Sequence, residues 1–126
     1  MRVFMGKAFR KWSDGEAIPQ RDLCQAAKEA FAGHVEADLG GYLFKKRLAR
    51  SGGGKSGGYR TILGFRKRNS DRIFFLYGFP KSSRANITRR EQDALSMNAK
   101  ALVDATDDQI SALKKRQAIV ELECET

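Results

Sequence analysis

Nine side chains in the middle of the chain could act on a polyanion: Lys45, Lys46, Arg47, Lys55, Tyr59, Arg60, Tyr77, Lys81 and Arg84. Cations with rings between them can hold a phosphodiester chain by charge while bases stack on the rings. The same set can also break RNA. In that reaction the ribose 2′-hydroxyl attacks the adjacent phosphorus, so the chemistry needs no outside nucleophile and no metal. The protein must remove one proton, stabilise the crowded anionic phosphorane and protonate the leaving oxygen. A lysine crowded by other cations can give up its proton and act as a base. Arginine stays charged and suits the stabilising role. The plainer reading is that these side chains only bind phosphates.

Other chemistries have less support. The chain has one histidine, His34, and two cysteines, Cys24 and Cys124, a hundred positions apart. No Cys-x-x-Cys pair and no His/Cys/Asp cluster points to a metal, and no cofactor is expected. The wide spacing argues against a disulfide scaffold. Cys24 reads as a small core residue within a helical pattern, and the chain as cytoplasmic and reduced. His34 sits beside a helix stop and reads as a helix-end cation. The run GGGKS, residues 52–56, invites a nucleotide-binding loop. That motif needs glycine where Ala49 stands and a helix after the lysine, and here the strand-like GGYRTILGF follows.

The charge is uneven. Residues 41–90 hold fourteen basic side chains and one acidic, Asp71. Residues 1–40 balance six against six, and residues 91–126 hold four basic and eight acidic. A block this one-sided implies a polyanionic partner, here RNA, rather than a merely solvated face. A length of 126 residues with 41% hydrophobic content suits one domain, 1–126. The N-terminus lacks the apolar core of a signal peptide. The longest apolar run, residues 73–77, is too short to span a bilayer.

Short elements must carry the block. Residues 2–5 suit a short edge strand. Residues 7–13 place Ala8, Phe9 and Trp12 at helical spacing, with Trp12 in the core, before Asp14-Gly15 breaks the pattern. From Pro19 to about residue 32 a helix presents Leu23, Ala26, Ala27, Ala30 and Phe31, and Gly33 stops it. Residues 35–41 read as a connection. Residues 42–50 read as a strand with Tyr42, Phe44 and Leu48 on one face and Leu43, Lys45, Arg47 and Ala49 on the other. After the glycine-rich loop, residues 59–68 form a second strand. It sets Tyr59, Thr61, Leu63 and Phe65 opposite Arg60, Ile62, Gly64 and Arg66. Residues 72–79, apolar on both faces, read as a central strand ended by Pro80, and the three strands suit an antiparallel meander. Thr88-x-x-Glu91 is a capping box that opens a helix to about residue 105, with Ala94, Leu95, Asn98, Ala101 and Leu102 inward. Thr106-x-x-Gln109 opens another, with Ile110 and Leu113. Residues 118–126 read as a short strand or a mobile tail. The fold class is α+β, a small antiparallel sheet flanked by helices.

The segment FKKRLARSGGGKSGGYRTILGF, followed by RIFFLYGFPKSSRANIT, resembles the RelE/HigB-type toxins of bacterial type II toxin–antitoxin modules. It is most similar to the RelE/ParE-superfamily branch that carries a GKSGGYR loop. The resemblance covers residues 35–91 well and the rest loosely. It implies the RelE-like, microbial-RNase-type fold and a metal-independent endoribonuclease, an mRNA interferase that cuts mRNA in the ribosomal A site and inhibits translation. It also implies a cognate antitoxin, often of helix-turn-helix type. By position, Lys45 and Arg47 match a basic pair on a family strand. Arg60 matches the arginine of Gly-Tyr-Arg that contacts the scissile phosphate, and Lys81 matches a residue proposed as general acid. Lys46, Lys55, Tyr59, Tyr77 and Arg84 are the RNA-binding candidates. Arg47 stands where the best-known members have a lysine proposed as base, so Lys45 or Lys46 substitutes or base catalysis is weak. No tyrosine follows Tyr77, which leaves Tyr59 or Phe79 to stack on the substrate base. Two other readings are a ParE-like inhibitor of DNA gyrase and an RNA-binding module without chemistry.

Overall fold

The computed structural model describes residues 1–49, 58–68 and 71–125. The elements in chain order are β1 (Arg2–Gly6), α1 (Lys7–Gly15), α2 (Gln20–Phe31), β2 (Ala37–Gly40) and β3 (Leu43–Leu48), then β4 (Tyr59–Gly64), β5 (Arg72–Pro80), α3 (Arg89–Asp104), α4 (Asp107–Lys115) and β6 (Ile119–Leu122). The fold is α+β, built on one sheet of order β2-β3-β4-β5-β1-β6. The meander expected from short connections is β3, β4 and β5, paired antiparallel. One strand departs from expectation. β1 is not at the edge; it lies between β5 and β6 and pairs with β5 in parallel. Val3, Phe4 and Met5 are all buried, so β1 needs cover on both faces and a neighbour on both sides. The long route from β1 to β5 supplies the crossover that parallel pairing requires. β6 closes the sheet antiparallel to β1, so residues 119–122 are strand rather than tail.

Helices cover both faces. On one, Phe9 of α1 and Leu23, Ala26, Ala27 and Ala30 of α2 pack on Phe44, Leu63 and Phe75. On the other, Ala99 and Leu102 of α3 and Ile110 of α4 pack on Leu43, Ile62 and Phe74. Both expected capping boxes form, and each cap is worth about 1 kcal/mol. Thr88 accepts from the Glu91 N–H at 3.1 Å while its own N–H donates to Glu91 at 2.8 Å. Thr106 and Gln109 repeat the exchange. No helix among the described residues is long and apolar enough to cross a membrane.

The inward stripe of α3 is rotated from the expected one. Ala94, Asn98 and Ala101 are exposed, and Ala99 and Leu102 are the buried positions. Close approach decides this. A Cβ on Gly64 would lie 3.0 Å from the Ala99 Cβ, and the Ser96 hydroxyl donates to the Gly41 carbonyl at 3.2 Å. Small residues on the helix and glycines on the sheet let α3 sit low, and its exposed alanines carry no burial information.

Three further features position the site. Residues 35–41 are not all connection: β2 pairs with β3 through a tight hairpin. Its two linking residues, Gly41 and Tyr42, have φ of 58° and 66°, positive at both positions as a type I′ turn requires. Tyr42 therefore packs with the Leu43 cluster and not, as expected, beside Phe44. Second, β5 carries a bulge. Ile62 pairs with Tyr77 but Leu63 pairs with Phe75, so Leu76 is the extra residue. Third, Cys24 of α2 and Cys124 after β6 form a disulfide, with Cα atoms 5.6 Å apart. This corrects the reading of the cysteines as reduced, while Cys24 does pack against the core as expected. β6 returns alongside β1, and Gln20 of α2 donates to the Glu123 carbonyl at 2.9 Å, so residues a hundred positions apart meet.

Candidate active site

Strand register assembles the site. Lys45 pairs with Ile62 and Arg47 with Arg60; across the next ladder Ile62 pairs with Tyr77 and Arg60 with Phe79. Cross-strand partners share a face, so Lys45, Arg47, Arg60, Tyr77 and Phe79 project from one side of three strands. With strands about 4.8 Å apart, the group spans roughly 10 Å. The Leu76 bulge makes this possible. Without it, Tyr77 and Phe79 would follow Phe75 to the α1 side. With it, Gly78 takes that side, where a Cβ would come within 2.3 Å of the Trp12 ring.

The three cations converge on one carboxylate, Glu36. Lys45 Nζ lies 3.3 Å from its Oε1, Arg47 Nε 3.1 Å from its Oε2, and Arg60 Nε 2.8 Å from that same oxygen. Arg60 also donates to the Tyr59 carbonyl at 3.3 Å. The Lys45 and Arg60 side chains are enclosed, and Arg47 is open to solvent. Burial alone would push the Glu36 carboxyl upward, but Lys45, Arg60 and Arg47 outweigh it and hold the group below its ordinary range. Lys45 is thus not surrounded by cations alone, as the sequence suggested; a carboxylate faces it. The backbone fixes this meeting, because the Glu36 N–H donates to the Lys45 carbonyl at 2.8 Å just before β2 begins.

The remaining candidates divide. Lys46 points to the opposite face, where its Nζ lies 3.0 Å from Glu29 of α2. Tyr59 is buried on that same face with its ring edge-on to Trp12 at 5.2 Å. Neither joins the cation group. Lys55 lies outside the described residues. Lys81 opens the turn after β5, its N–H donating to the Gly58 carbonyl at 3.1 Å, which puts its backbone beside the Tyr59–Arg60 end of β4. Its side chain is exposed, and no ion pair to it occurs among the described residues. Arg84 lies over Phe79 and Tyr77, 5.4 and 5.9 Å from their centroids, and pairs through both terminal nitrogens with Glu91. Arg84, with the Thr88 N–H, holds Glu91 down at about 2. Arg84 therefore braces the start of α3 and roofs the aromatic pair.

Glu36 is the site residue that the sequence did not yield. It precedes the basic block, and its partners lie on two later strands. The signal was the Gly40-Gly41 pair: read as a hairpin turn, it folds residue 36 back beside Lys45.

A family model described as the RelE toxin of the RelE/RelB toxin–antitoxin system matches residues 1–122. No curated protein matches the chain.

Proposed function

This chain belongs to the RelE toxin family, and we propose that it is an endoribonuclease that cuts mRNA during translation and is restrained by a cognate antitoxin. The observation that carries this reading is the convergence of Lys45, Arg47 and Arg60 on one point of a sheet face that also bears Tyr77 and Phe79. A phosphate placed there meets two forked guanidiniums, which suit the spread negative charge of a phosphorane. Arg60, held from two sides, is the principal stabiliser, and Arg47 reaches the phosphate from solvent. Lys45, the lysine of the group, is assigned to the attacking hydroxyl, and Lys81, at the strand's end, to the leaving oxygen. Tyr77 lies under the Arg84 guanidinium at the rim and offers the ring on which a base can stack.

The test is induction of the chain without its antitoxin, with mapping of new 5′ ends on cellular RNA. Growth arrest with breaks inside translated reading frames is the expected result. Normal growth with intact mRNA at full expression rejects the proposal, and arrest with DNA breaks and intact mRNA would point to a gyrase target.

A further inference from the structure

Glu36 engages three of the site cations at once, and its two oxygens are shared between them. Two effects follow from that geometry, and they oppose each other. The carboxylate cancels one of the three positive charges, so a phosphate approaching the group meets a weaker field. It also supplies the fixed point against which the side chains are aligned. Lysine and arginine carry much rotamer freedom, and holding them in register before substrate arrives removes that ordering from the reaction step. The placement of Glu36 is itself rigid. Its N–H is bonded to the Lys45 carbonyl, and the next residue, Ala37, pairs with Lys45 in the ladder. An open cavity of about 330 Å³ lies at the strand edge beside it, with His34, Val35, Glu36 and Arg47 in its lining, so solvent reaches the carboxylate.

We propose that Glu36 is a positioning residue that preassembles Lys45, Arg47 and Arg60 while weakening their hold on RNA, so that it sets binding and cleavage in opposite directions. A proton-accepting role fits the geometry less well. Oε2 accepts from Arg47 Nε and lies 2.8 Å from Arg60 Nε, and Oε1 faces Lys45, so three cations already compete for the lone pairs that a hydroxyl proton would need.

The inference rests on the endoribonuclease reading for its rate arm, whereas its binding arm does not. Glu36→Gln keeps the size and one acceptor oxygen but removes the charge; Glu36→Asp keeps the charge but withdraws it by one methylene. Binding is read with a labelled single-stranded RNA oligonucleotide over a salt series. Cleavage is read in single turnover on mRNA-programmed ribosomes across pH. Glu36→Gln should bind about 3- to 10-fold more tightly near 0.1 M salt, with a steeper salt slope, because one more cation is free to release counterions from the RNA. It should cleave about 10- to 100-fold more slowly with the shape of the pH profile retained, and Glu36→Asp should recover part of the rate. Unchanged or weaker binding by a folded Glu36→Gln overturns the proposal, as does an unchanged cleavage rate. Loss of the acidic limb of the pH profile in Glu36→Gln also overturns it and makes Glu36 the base. If the unsubstituted chain cuts no RNA, the endoribonuclease reading fails while the binding arm still decides the role of Glu36.

Discussion

Arg60 is the most enclosed cation of the site, with its side chain 8% exposed and its Nε 2.8 Å from Glu36. A guanidinium held this way presents a fixed fork to a developing negative charge, which lysine cannot imitate. Arg60→Lys should therefore lower cleavage on programmed ribosomes about 100-fold, in the range for loss of one preorganised donor. Lys46→Ala, which changes the opposite face, should leave cleavage nearly unchanged. Equal losses in the two variants would mean that the cation face is not the reacting surface. Strand parity made part of this legible: alternation alone put Lys45 and Arg47 on one side and separated them from Lys46, their neighbour in sequence. The part that was not legible depended on contacts between distant strands. Tyr59 looked like a stacking ring, and only the packing of α1 reveals that Trp12 already covers it.

At the scale of elements, the site depends on which way β5 faces after Leu76. Gly78 is the pivot, since a side chain there would collide with Trp12. Gly78→Ala should destabilise the protein by about 2 kcal/mol through overpacking, measurable as a lower urea midpoint, and should reduce cleavage by tilting the Tyr77 and Phe79 side of the site. An unaltered midpoint would show that α1 has room to move. The capping boxes of α3 and α4 were readable because cap and responder lie three residues apart, so local chemistry decides them. The bulge was not readable. Residues 73–77 are all apolar, and an unbroken apolar run hides a change of phase. β2 was missed for a related reason: Asp38 and Gly40 are poor strand formers, Gly40 sits at a φ of 80°, and it is the pairing with β3 that makes the segment a strand. The position of β1 follows from partners more than sixty residues away, which no local pattern encodes.

Across the whole molecule, carboxylates tie the elements together and set the response to acid. Glu121 of β6 bonds first to Arg2 of β1 and then to Lys114 of α4, and these cations hold it at about 2 against the ordinary 4.5 despite partial burial. A carboxyl lowered in the folded state adds stability that is complete above its unfolded value and is lost as pH falls toward the folded one. Unfolding free energy should thus decline between about pH 4.5 and about pH 2, with Glu91 contributing in the same window. Glu121→Gln should flatten that decline in a pH series of thermal melts, and an identical slope in the variant would remove Glu121 from the account. The same scale contains the bond between Cys24 and Cys124, which encloses a hundred-residue span that includes every site cation. Pulled from outside that ring, the oxidised chain cannot be drawn out over the residues between the two cysteines. Mechanical tension of the kind exerted by a threading protease or a translocating pore would pass through the sulfur link and bypass the sheet face that carries Lys45, Arg47 and Arg60.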